Sequence, residues 1–205
     1  MSYSVKEIFY SLQGEGVRTG RPAVFCRFSG CNLWNGREDG RAAAECRFCD
    51  TDFVGGEKYT HAEALAGAVA TFWPTGAGWR YVVCTGGEPA LQIDEALIEA
   101  LHAKDFEVAI ETNGTLPLPG GLDWITVSPK AETALNVEKG DELKLVYPQG
   151  GAEPDLYEGL DFTYFLLQPM DGPDLGKNTD KALAYCRAHP HWRLSLQTHK
   201  ALGIR

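Results

Sequence analysis

Residues 81–89 read YVVCTGGEP, a short apolar run that ends directly in a glycine-rich polar motif. The same arrangement recurs where apolar runs end in ETNG at 111–114, SPK at 128–130, QPMD at 168–171 and QTHK at 197–200. Apolar runs separated by helices or long crossovers indicate parallel β/α units. Ligands of such folds bind at the carboxyl ends of the strands. The five motifs are therefore predicted to converge on one ligand site.

The hydrophobic pattern predicts an α/β fold built from a series of short strands. These strands are expected at 5–9, 23–28, 81–84, 106–110, 124–127, 143–146, 164–167 and 193–196. Helical spacing predicts helices at 61–73, 92–103 and 178–189, whose apolar positions include Phe72, Leu91, Ala96, Leu183 and Ala184. These helices are too few for an eight-fold barrel. We therefore expect a reduced, partial β/α barrel in a single domain over residues 1–205, with a long loop at about 29–53.

The composition is that of an ordinary globular protein, with 44% apolar and 23% charged residues. No apolar run approaches the roughly 20 residues needed to cross a bilayer. The opening residues, MSYSVKEIFYSLQGEG, lack the basic and apolar regions of a secretory signal. We therefore expect a cytoplasmic protein without membrane contact. The formal net charge is −9 and no run of Lys and Arg is visible, so a nucleic acid partner is not expected.

Three of the six cysteines lie in the stretch CNLWNGREDGRAAAECRFC at 31–49. Cys46 and Cys49 form a CxxC pair, which Cys31 precedes across a polar loop. One interpretation is a structural zinc site, but zinc needs a fourth ligand and the nearest histidine, His61, has no partner pair. Three cysteines without an obvious fourth ligand favour an iron–sulfur cluster with one open iron. The remaining cysteines are predicted to be small core residues; they are Cys26, Cys84 and Cys186.

A three-cysteine loop after an early strand, followed by GGEP after a later strand, resembles the radical S-adenosylmethionine (SAM) superfamily. In that superfamily the open iron binds SAM, and the cofactor performs the radical chemistry. The resemblance implies a reduced, partial β/α barrel of the radical SAM type. The usual cysteine spacing is CxxxCxxC, whereas this chain has Cx14CxxC. This unusual spacing narrows the choice of family within the superfamily.

Further motifs resemble the 7-carboxy-7-deazaguanine synthase family over nearly the whole chain, and a widened cysteine loop is known in that family. The motifs are FYSLQGEG at 9–16, FCRFSGCNLW at 25–34, CRFCDTDF at 46–53, VCTGGEP at 83–89, ETNG, SPK, QPMDG at 168–172 and QTHK. The resemblance implies a lyase that converts 6-carboxy-5,6,7,8-tetrahydropterin to 7-carboxy-7-deazaguanine with loss of ammonia. The product serves 7-deazapurine biosynthesis, including the queuosine pathway.

The implied chemistry belongs to the cofactors, and no side chain is expected to act as an acid or a base. A reduced 4Fe–4S cluster cleaves SAM to methionine and a 5′-deoxyadenosyl radical, which takes a hydrogen atom from C6 of the substrate. A ring-contracting rearrangement follows, and the product radical takes hydrogen back to regenerate SAM. The implied partners are the pterin substrate, an external electron donor such as a flavodoxin-type reductant, and a second copy of the chain in a homodimer.

The resemblance also assigns site residues by motif. Cys31, Cys46 and Cys49 are expected to ligate the cluster. The residues expected to bind SAM are Phe48, Cys49, Asp50, Gly87, Ser128, Pro129, Lys130, Gln168, Pro169, Met170 and Asp171. Those expected to bind the pterin are Leu12, Gln13, Gly14, Arg27, Thr85 and Arg205. Arg27 offers a planar, two-pronged donor that suits the substrate carboxylate.

Magnesium is a further implied cofactor, bound beside the substrate through the hydroxyl of Thr51. Mg²⁺ prefers oxygen ligands and keeps several waters, so one protein oxygen together with substrate oxygens is chemically reasonable. The residues alone also fit ordinary loop roles, a turn hydroxyl for Thr51 and a solvated charge for Glu15. Arg205 departs from the family, where a small or apolar residue is expected at that position.

Two other functions fit part of this pattern. A radical SAM activase that makes a glycyl radical on a protein would share the cluster, but SLQGEG, CDTDF and QTHK argue against it. A zinc-stabilised binding module would use the same cysteines without any radical chemistry. The zinc protein would be colourless, whereas an iron–sulfur protein would be brown.

Overall fold

Nine strands form one sheet in the computed structural model, which describes residues 2–205. The strands are β1 (Tyr3–Leu12), β2 (Pro22–Phe28), β3 (Glu57–Tyr59), β4 (Tyr81–Gly86), β5 (Glu107–Thr112), β6 (Trp124–Val127), β7 (Lys139–Tyr147), β8 (Asp161–Pro169) and β9 (Trp192–Leu194). The α-helices of this part of the chain are α1 (Ala62–Thr71), α2 (Glu95–His102), α3 (Leu175–Ala188) and α4 (Thr198–Leu202). Within the described residues, no helix is long and apolar enough to cross a membrane.

Seven of the strands run parallel, in the order β2–β4–β5–β6–β7–β8–β9. This arrangement confirms the predicted α/β fold class. It also brings the carboxyl ends of the strands to one edge of the sheet, where ligands of parallel β/α folds bind. TGGEP, ETNG, SPK and QPMD lie at the ends of β4, β5, β6 and β8. QTHK differs, because Thr198 begins the short helix α4.

β1 is an exception to the predicted parallel β/α units, because it pairs antiparallel with both β2 and β3. Residues 13–21 join β1 to β2 without a crossover helix. A parallel connection needs a crossover of a dozen or more residues, so this short segment requires an antiparallel pair. The edge strand β3 was not predicted, because its three residues, EKY, show no apolar alternation.

The middle strands of the sheet are buried on both faces, as the near-continuous apolar runs of parallel sheets require. Val82, Val83 and Cys84 of β4 are fully buried and pack with side chains of β1, β2, β5, α1 and α2. A second core cluster joins β7, β8, β9 and α3. Cys26 of β2 lies in register with Cys84, and both cysteines are core residues. Burial raises the pKa of both thiols.

Several apolar helix positions face solvent instead of the core. Phe72 follows the last residue of α1, and Leu91 lies in a 3₁₀ turn before α2, so the helical period does not extend to either side chain. Phe72, Leu91 and Leu183 are exposed, as are Ala96 and Ala184. On α3 the buried face runs through Asn178 and Ala182 instead.

The loop at residues 13–21 turns back inside the curve of the sheet. The Arg18 guanidinium lies 3.9 Å from the ring of Trp124 at the start of β6. The Gly16 amide donates a hydrogen bond of 2.9 Å to the hydroxyl of Ser195, just after β9. The sheet therefore bends around this loop, which fills the centre of the partial barrel.

Candidate active site

The loop that carries the three cysteines surrounds a small apolar cluster. The rings of Trp34 and Phe53 pack edge to face with centroids 5.5 Å apart, and Ala44 packs with them. Cys31 and Cys49 lie against this group. The cluster gives the loop a core of its own, separate from the sheet.

Arg41 holds the long interval between the first and second cysteines in place. Its guanidinium lies 4.1 Å from the ring of Trp34. It also donates hydrogen bonds to the carbonyl oxygens of Arg47 and Cys49 at 3.0 and 2.9 Å. The interval is thus a folded segment, which explains how widely spaced cysteines face the same space.

The three thiols line one cavity. Cys46 donates a hydrogen bond to Cys49, which lowers the pKa of Cys49 to about 6 and raises that of Cys46. Burial raises the pKa of Cys31, although backbone amides partly oppose this effect. Metal ligation requires thiolates and therefore releases protons when the metal binds.

The donor set fits an iron–sulfur cluster better than a closed zinc site. Within residues 2–205, no three His, Cys, Asp or Glu side chains are grouped as ligands of a single metal ion. A structural zinc site needs four ligands that converge on one point. The thiolates that hold a cluster bind separate iron atoms. Three free cysteines on one cavity wall meet that requirement.

The glycines at the end of β4 pack directly against the backbone that precedes the first cysteine. The amide of Gly87 donates to the carbonyl of Phe28 at 3.1 Å, and the amide of Glu88 donates to the carbonyl of Gly30 at 2.8 Å. A Cβ on Gly87 would overlap the Gly30 carbonyl and lie 3.1 Å from the amide nitrogen of Cys31. Only glycine fits here without moving the cysteine loop.

Glu88 of the same motif connects strand ends and does not face a ligand. Its fully buried carboxylate accepts hydrogen bonds from the Thr112 hydroxyl and the Asn113 amide, each at 2.7 Å. A third bond, at 2.9 Å, comes from the amide of Ala90. These bonds fix the end of β4 relative to the end of β5. Burial raises the pKa of Glu88, and the three bonds oppose that rise.

A cavity of about 290 Å³ opens beside the cysteines. With one exception, Pro129, every residue predicted to bind the cluster, SAM, magnesium or the substrate lines it. Pro129 is buried, and its carbonyl accepts a hydrogen bond from Gln149 at 3.4 Å. An extended chain alternates its side chains, so Ser128 and Lys130 face the cavity while Pro129 faces away.

Lys130 places a cation near the cysteines. Its ammonium donates to the carbonyl and hydroxyl oxygens of Ser128 at 2.6 and 2.8 Å, and it lies 5.9 Å from the centroid of the Phe48 ring. Burial lowers the pKa of Lys130, whereas negative charge on Cys46 and Cys49 raises it. An ammonium in this position suits a site that holds anionic groups.

Arg27 and Arg205 form a basic wall of the cavity on either side of Glu7. The Arg27 Nε donates to one Glu7 oxygen at 2.9 Å, and the Arg205 guanidinium pairs with the other. The Arg205 guanidinium also lies 4.7 Å from the ring of Phe9. Its backbone carbonyl accepts a hydrogen bond of 2.6 Å from the Ser11 hydroxyl. The last residue of the sequence thus lies at the cavity.

Sequence reasoning gave no individual role to two charged residues of the barrel interior that also line the cavity, Glu111 of the ETNG motif and Lys144. A signal was present, because Glu142 and Lys144 alternate with the buried Leu143 and Leu145 along β7. Alternation alone indicates one polar face, which is usually a solvated face. The curvature of the sheet makes this face an interior one.

The segment from Gln197 to Arg205 covers part of the same cavity. The Lys200 ammonium bridges Asp50 of the cysteine loop and Asp171 of the QPMD motif, at 2.5 Å from each carboxylate. Gly14 lies so close to His199 that a Cβ on Gly14 would overlap the imidazole. These contacts connect the cysteine loop, the β1–β2 loop and the end of β8 through one short segment.

Comparisons with known proteins agree with this geometry. The Radical SAM superfamily model matches residues 41–147. A 7-carboxy-7-deazaguanine synthase of Burkholderia multivorans is 60% identical to this chain, and one of Bacteroides thetaiotaomicron is 45% identical, with both chains fully covered in each case. The crystal structure of QueE from Escherichia coli superposes with a TM-score of 0.72 at 26% identity. That superposition covers 96% of this chain and 94% of the other.

A partial barrel with a three-cysteine loop packed on a glycine-rich strand end defines a class, and the chain is an enzyme of the radical SAM superfamily. Within that class it belongs to the 7-carboxy-7-deazaguanine synthase family. A 4Fe–4S cluster and SAM are the cofactors of the superfamily, and the cysteine loop and the cavity beside it fit both.

Proposed function

We propose that this chain converts 6-carboxy-5,6,7,8-tetrahydropterin to 7-carboxy-7-deazaguanine with loss of ammonia, a step of 7-deazapurine biosynthesis such as the queuosine pathway. The observation that supports this most directly is a single cavity lined by the three cysteine thiols and by the Arg27 guanidinium. A cofactor bound at the thiols and a carboxylated substrate bound at Arg27 would share one cavity. Gln13 and Thr85 line the same cavity and add hydrogen-bonding groups for a heterocycle.

The cofactors would be held by residues from four loops. Cys31, Cys46 and Cys49 would ligate the cluster, and the residues that would contact SAM are Phe48, Asp50, Gly87, Ser128, Lys130, Gln168, Pro169, Met170 and Asp171. When bound, the cluster and SAM supply a one-electron reductive cleavage and the radical chemistry that follows. The chain itself would position these groups. Gly87 permits the close approach of backbone to ligand, and Lys130 supplies positive charge.

The substrate carboxylate would pair with Arg27. Its Nε is engaged by Glu7, and its two terminal nitrogens make no hydrogen bond to the described residues. Those two nitrogens form the fork that binds a carboxylate in a bidentate manner. Arg205 adds a second positive charge beside the same wall. Leu12, Gln13, Gly14 and Thr85 complete the proposed substrate contacts.

Magnesium would bind at Thr51, which lines the cavity next to the cysteines. The Thr51 side chain helps to lower the pKa of Cys49 as a hydrogen-bond donor, and a hydroxyl that donates its proton keeps oxygen lone pairs for a metal. Neighbouring Asp50 and Asp52 are paired with Lys200 and Lys6. Thr51 would therefore supply one oxygen ligand, and waters and substrate oxygens would supply the others. Mg²⁺ commonly binds in this way.

A flavodoxin-type one-electron donor, a homodimer and a cytoplasmic location complete the proposal. The cluster needs an external electron for each reductive event, and such carriers deliver single electrons at low potential. Cytoplasm suits an enzyme that needs reduced thiols, because thiols persist in a reducing compartment. Gel filtration of the reconstituted enzyme would test the homodimer.

The experiment that tests this function is turnover by the anaerobically reconstituted protein. We expect it to form 7-carboxy-7-deazaguanine from 6-carboxytetrahydropterin in the presence of SAM and dithionite, with mass spectrometry as the readout. The amount of SAM should stay constant while product accumulates, because the product radical takes its hydrogen atom back and SAM is regenerated. The reaction is run with added Mg²⁺ and in chelator-treated buffer, and the proposed metal site predicts slower turnover in the second. SAM cleavage without the deazaguanine product would reject the proposed substrate.

The Lys200 bridge offers a first prediction about substrate binding. In Lys200→Met the segment from Gln197 to Arg205 loses its attachment to Asp50 and Asp171, so we expect the substrate KM to rise roughly 2- to 30-fold. This range follows from two partly exposed ion pairs of about 0.2–1 kcal/mol each. Salt should raise the KM of the unsubstituted enzyme more than that of the variant, because salt screens the Lys200 bridge only where the bridge exists, whereas it weakens the pairing of the substrate carboxylate with Arg27 in both.

A matched control is Lys177→Met. Lys177 pairs with Asp174 at 2.8 Å on α3, and its side chain is 80% exposed and outside the cavity lining. Its substitution should leave the KM and its salt dependence unchanged. Equal KM values in all three proteins would show that the bridge does not hold the cavity closed.

A further inference from the structure

Four charged side chains meet inside the partial barrel. Glu15 comes from the β1–β2 loop, Glu111 from β5, and Glu142 and Lys144 from β7. The side chain of Lys144 is only 6% exposed and that of Glu15 only 16%. The buried Lys144 ammonium thus faces three carboxylates, and none of the family motifs includes Lys144.

Lys144 lines the cavity and is linked through Glu111 to residues of the proposed substrate site. Its ammonium pairs with Glu15 and lies 3.7 Å from Oε1 of Glu111. The same Glu111 oxygen accepts a hydrogen bond from Gln13 at 3.0 Å, and the other Glu111 oxygen accepts one from the Thr85 hydroxyl at 3.3 Å. Gln13 and Thr85 are proposed to bind the pterin, so a shift of Glu111 would move both.

Glu15 links the same ammonium to two other parts of the cavity. Its second oxygen accepts a hydrogen bond of 2.9 Å from Gln197, at the start of the segment that carries Lys200. Its backbone amide donates to the Gln13 side chain at 3.1 Å. Lys144 therefore contacts a network that includes both sides of the proposed substrate site.

The charges in this network depend on one another. Burial raises the pKa of Glu15, but the Lys144 ammonium outweighs burial and brings that pKa to about 2. Burial likewise lowers the pKa of Lys144, yet Glu111 and Glu15 raise it above its ordinary value. Without the ammonium, neighbouring carboxylates in a buried site would take up protons or move apart.

We propose that Lys144 is a positioning residue for substrate binding, whose ammonium holds Glu15 and Glu111 together as ionised acceptors for the N–H groups of a donor-rich heterocycle. The inference rests on the proposed function, because it takes the pterin as that heterocycle. Lys144 acts through the two carboxylates, so its loss affects the substrate more than the cofactors.

The test compares Lys144→Met with Lys144→Arg in the cluster-loaded protein. Affinity for 6-carboxytetrahydropterin is measured calorimetrically with SAM present and reductant absent, so that no turnover occurs. We expect Lys144→Met to lower the affinity at least about tenfold, since charged hydrogen bonds are lost. Lys144→Arg keeps the charge and should retain most of the affinity. Iron content and SAM affinity should be unchanged in both.

The pH profile of substrate affinity separates positioning from a merely structural role. The titratable groups that face Lys144 are Glu15, Glu111 and Glu142, with Lys130 and His199 next to them. In Lys144→Met the carboxylates lose their counter-ion, so the acid limb of the profile should move to higher pH. A structural role alone would lower the melting temperature and leave the position of that limb unchanged.

A double-mutant cycle with Glu15→Gln completes the test. If Lys144 acts through Glu15, its substitution should cost less affinity in the Glu15→Gln background. Should Lys144→Met not fold, Lys144→Gln is measured by the same criteria. Substrate affinity and pH profile equal to those of the unsubstituted protein would overturn the inference. Absence of pterin binding by the unsubstituted protein would instead reject the proposed function.

Discussion

Replacing Cys46 with serine is expected to abolish turnover and to remove most of the iron from the reconstituted protein. The serine hydroxyl is not a thiolate ligand, and loss of one of three protein ligands leaves the cluster without a stable attachment. Activity should fall by more than about a hundredfold, because even the outer-shell partners of metal ligands contribute 10- to 100-fold. Iron analysis, the visible spectrum and the rate of product formation measure these effects.

Cys186→Ser is the matched control for this substitution. Cys186 lies half-buried on α3 and outside the cavity lining. Its variant should hold about four irons per chain, as a 4Fe–4S cluster requires, and should turn over normally. If Cys46→Ser kept its iron and its colour, the assignment of the cluster ligands would be wrong. Zinc in place of iron in the unsubstituted protein would favour the binding-module alternative.

The cysteine loop was predictable from sequence because its information is local. A CxxC pair and a third cysteine lie in one loop, so they can be identified as candidate cluster ligands without knowledge of the fold. The same holds for the strand-end motifs, since parallel strands place their carboxyl ends together. Pro129 is the predicted SAM residue that does not line the cavity, because a motif names consecutive residues, whereas an extended chain turns alternate side chains away from a site.

The charged interior was not predictable in the same way. Lys144 and Glu142 occupy alternate positions of β7, which is also the pattern of a strand with a solvated face. Their burial depends on the β1–β2 loop, which folds into the barrel and brings Glu15 to Lys144 across 129 positions of sequence. Contacts between residues so far apart in the sequence are set by the assembled fold. The same holds for the bridge of Lys200 to Asp50 and Asp171.

Replacing Gly87 with alanine is expected to weaken SAM binding and to lower turnover by roughly a hundredfold. The new Cβ would overlap the Gly30 carbonyl and press on the amide nitrogen of Cys31, both of which are backbone atoms that cannot rotate away. The end of β4 and the cysteine loop must then separate. A displacement of about 1 Å in a positioned site can cost roughly 10²-fold in rate. SAM affinity of the reconstituted variant and its turnover measure the effect.

Gly67→Ala shows what the same chemical change does where space is open. Gly67 lies within α1, and nothing stands within 4 Å of its Cβ position. Alanine should stabilise the helix by up to about 1 kcal/mol, with SAM affinity unchanged. In Gly87→Ala, overpacking is expected to cost about 1–3 kcal/mol of folding free energy, and the loss of SAM affinity should exceed what unfolding explains. Wild-type SAM affinity in that variant would mean that the close contact between β4 and the cysteine loop is not needed to form the SAM site.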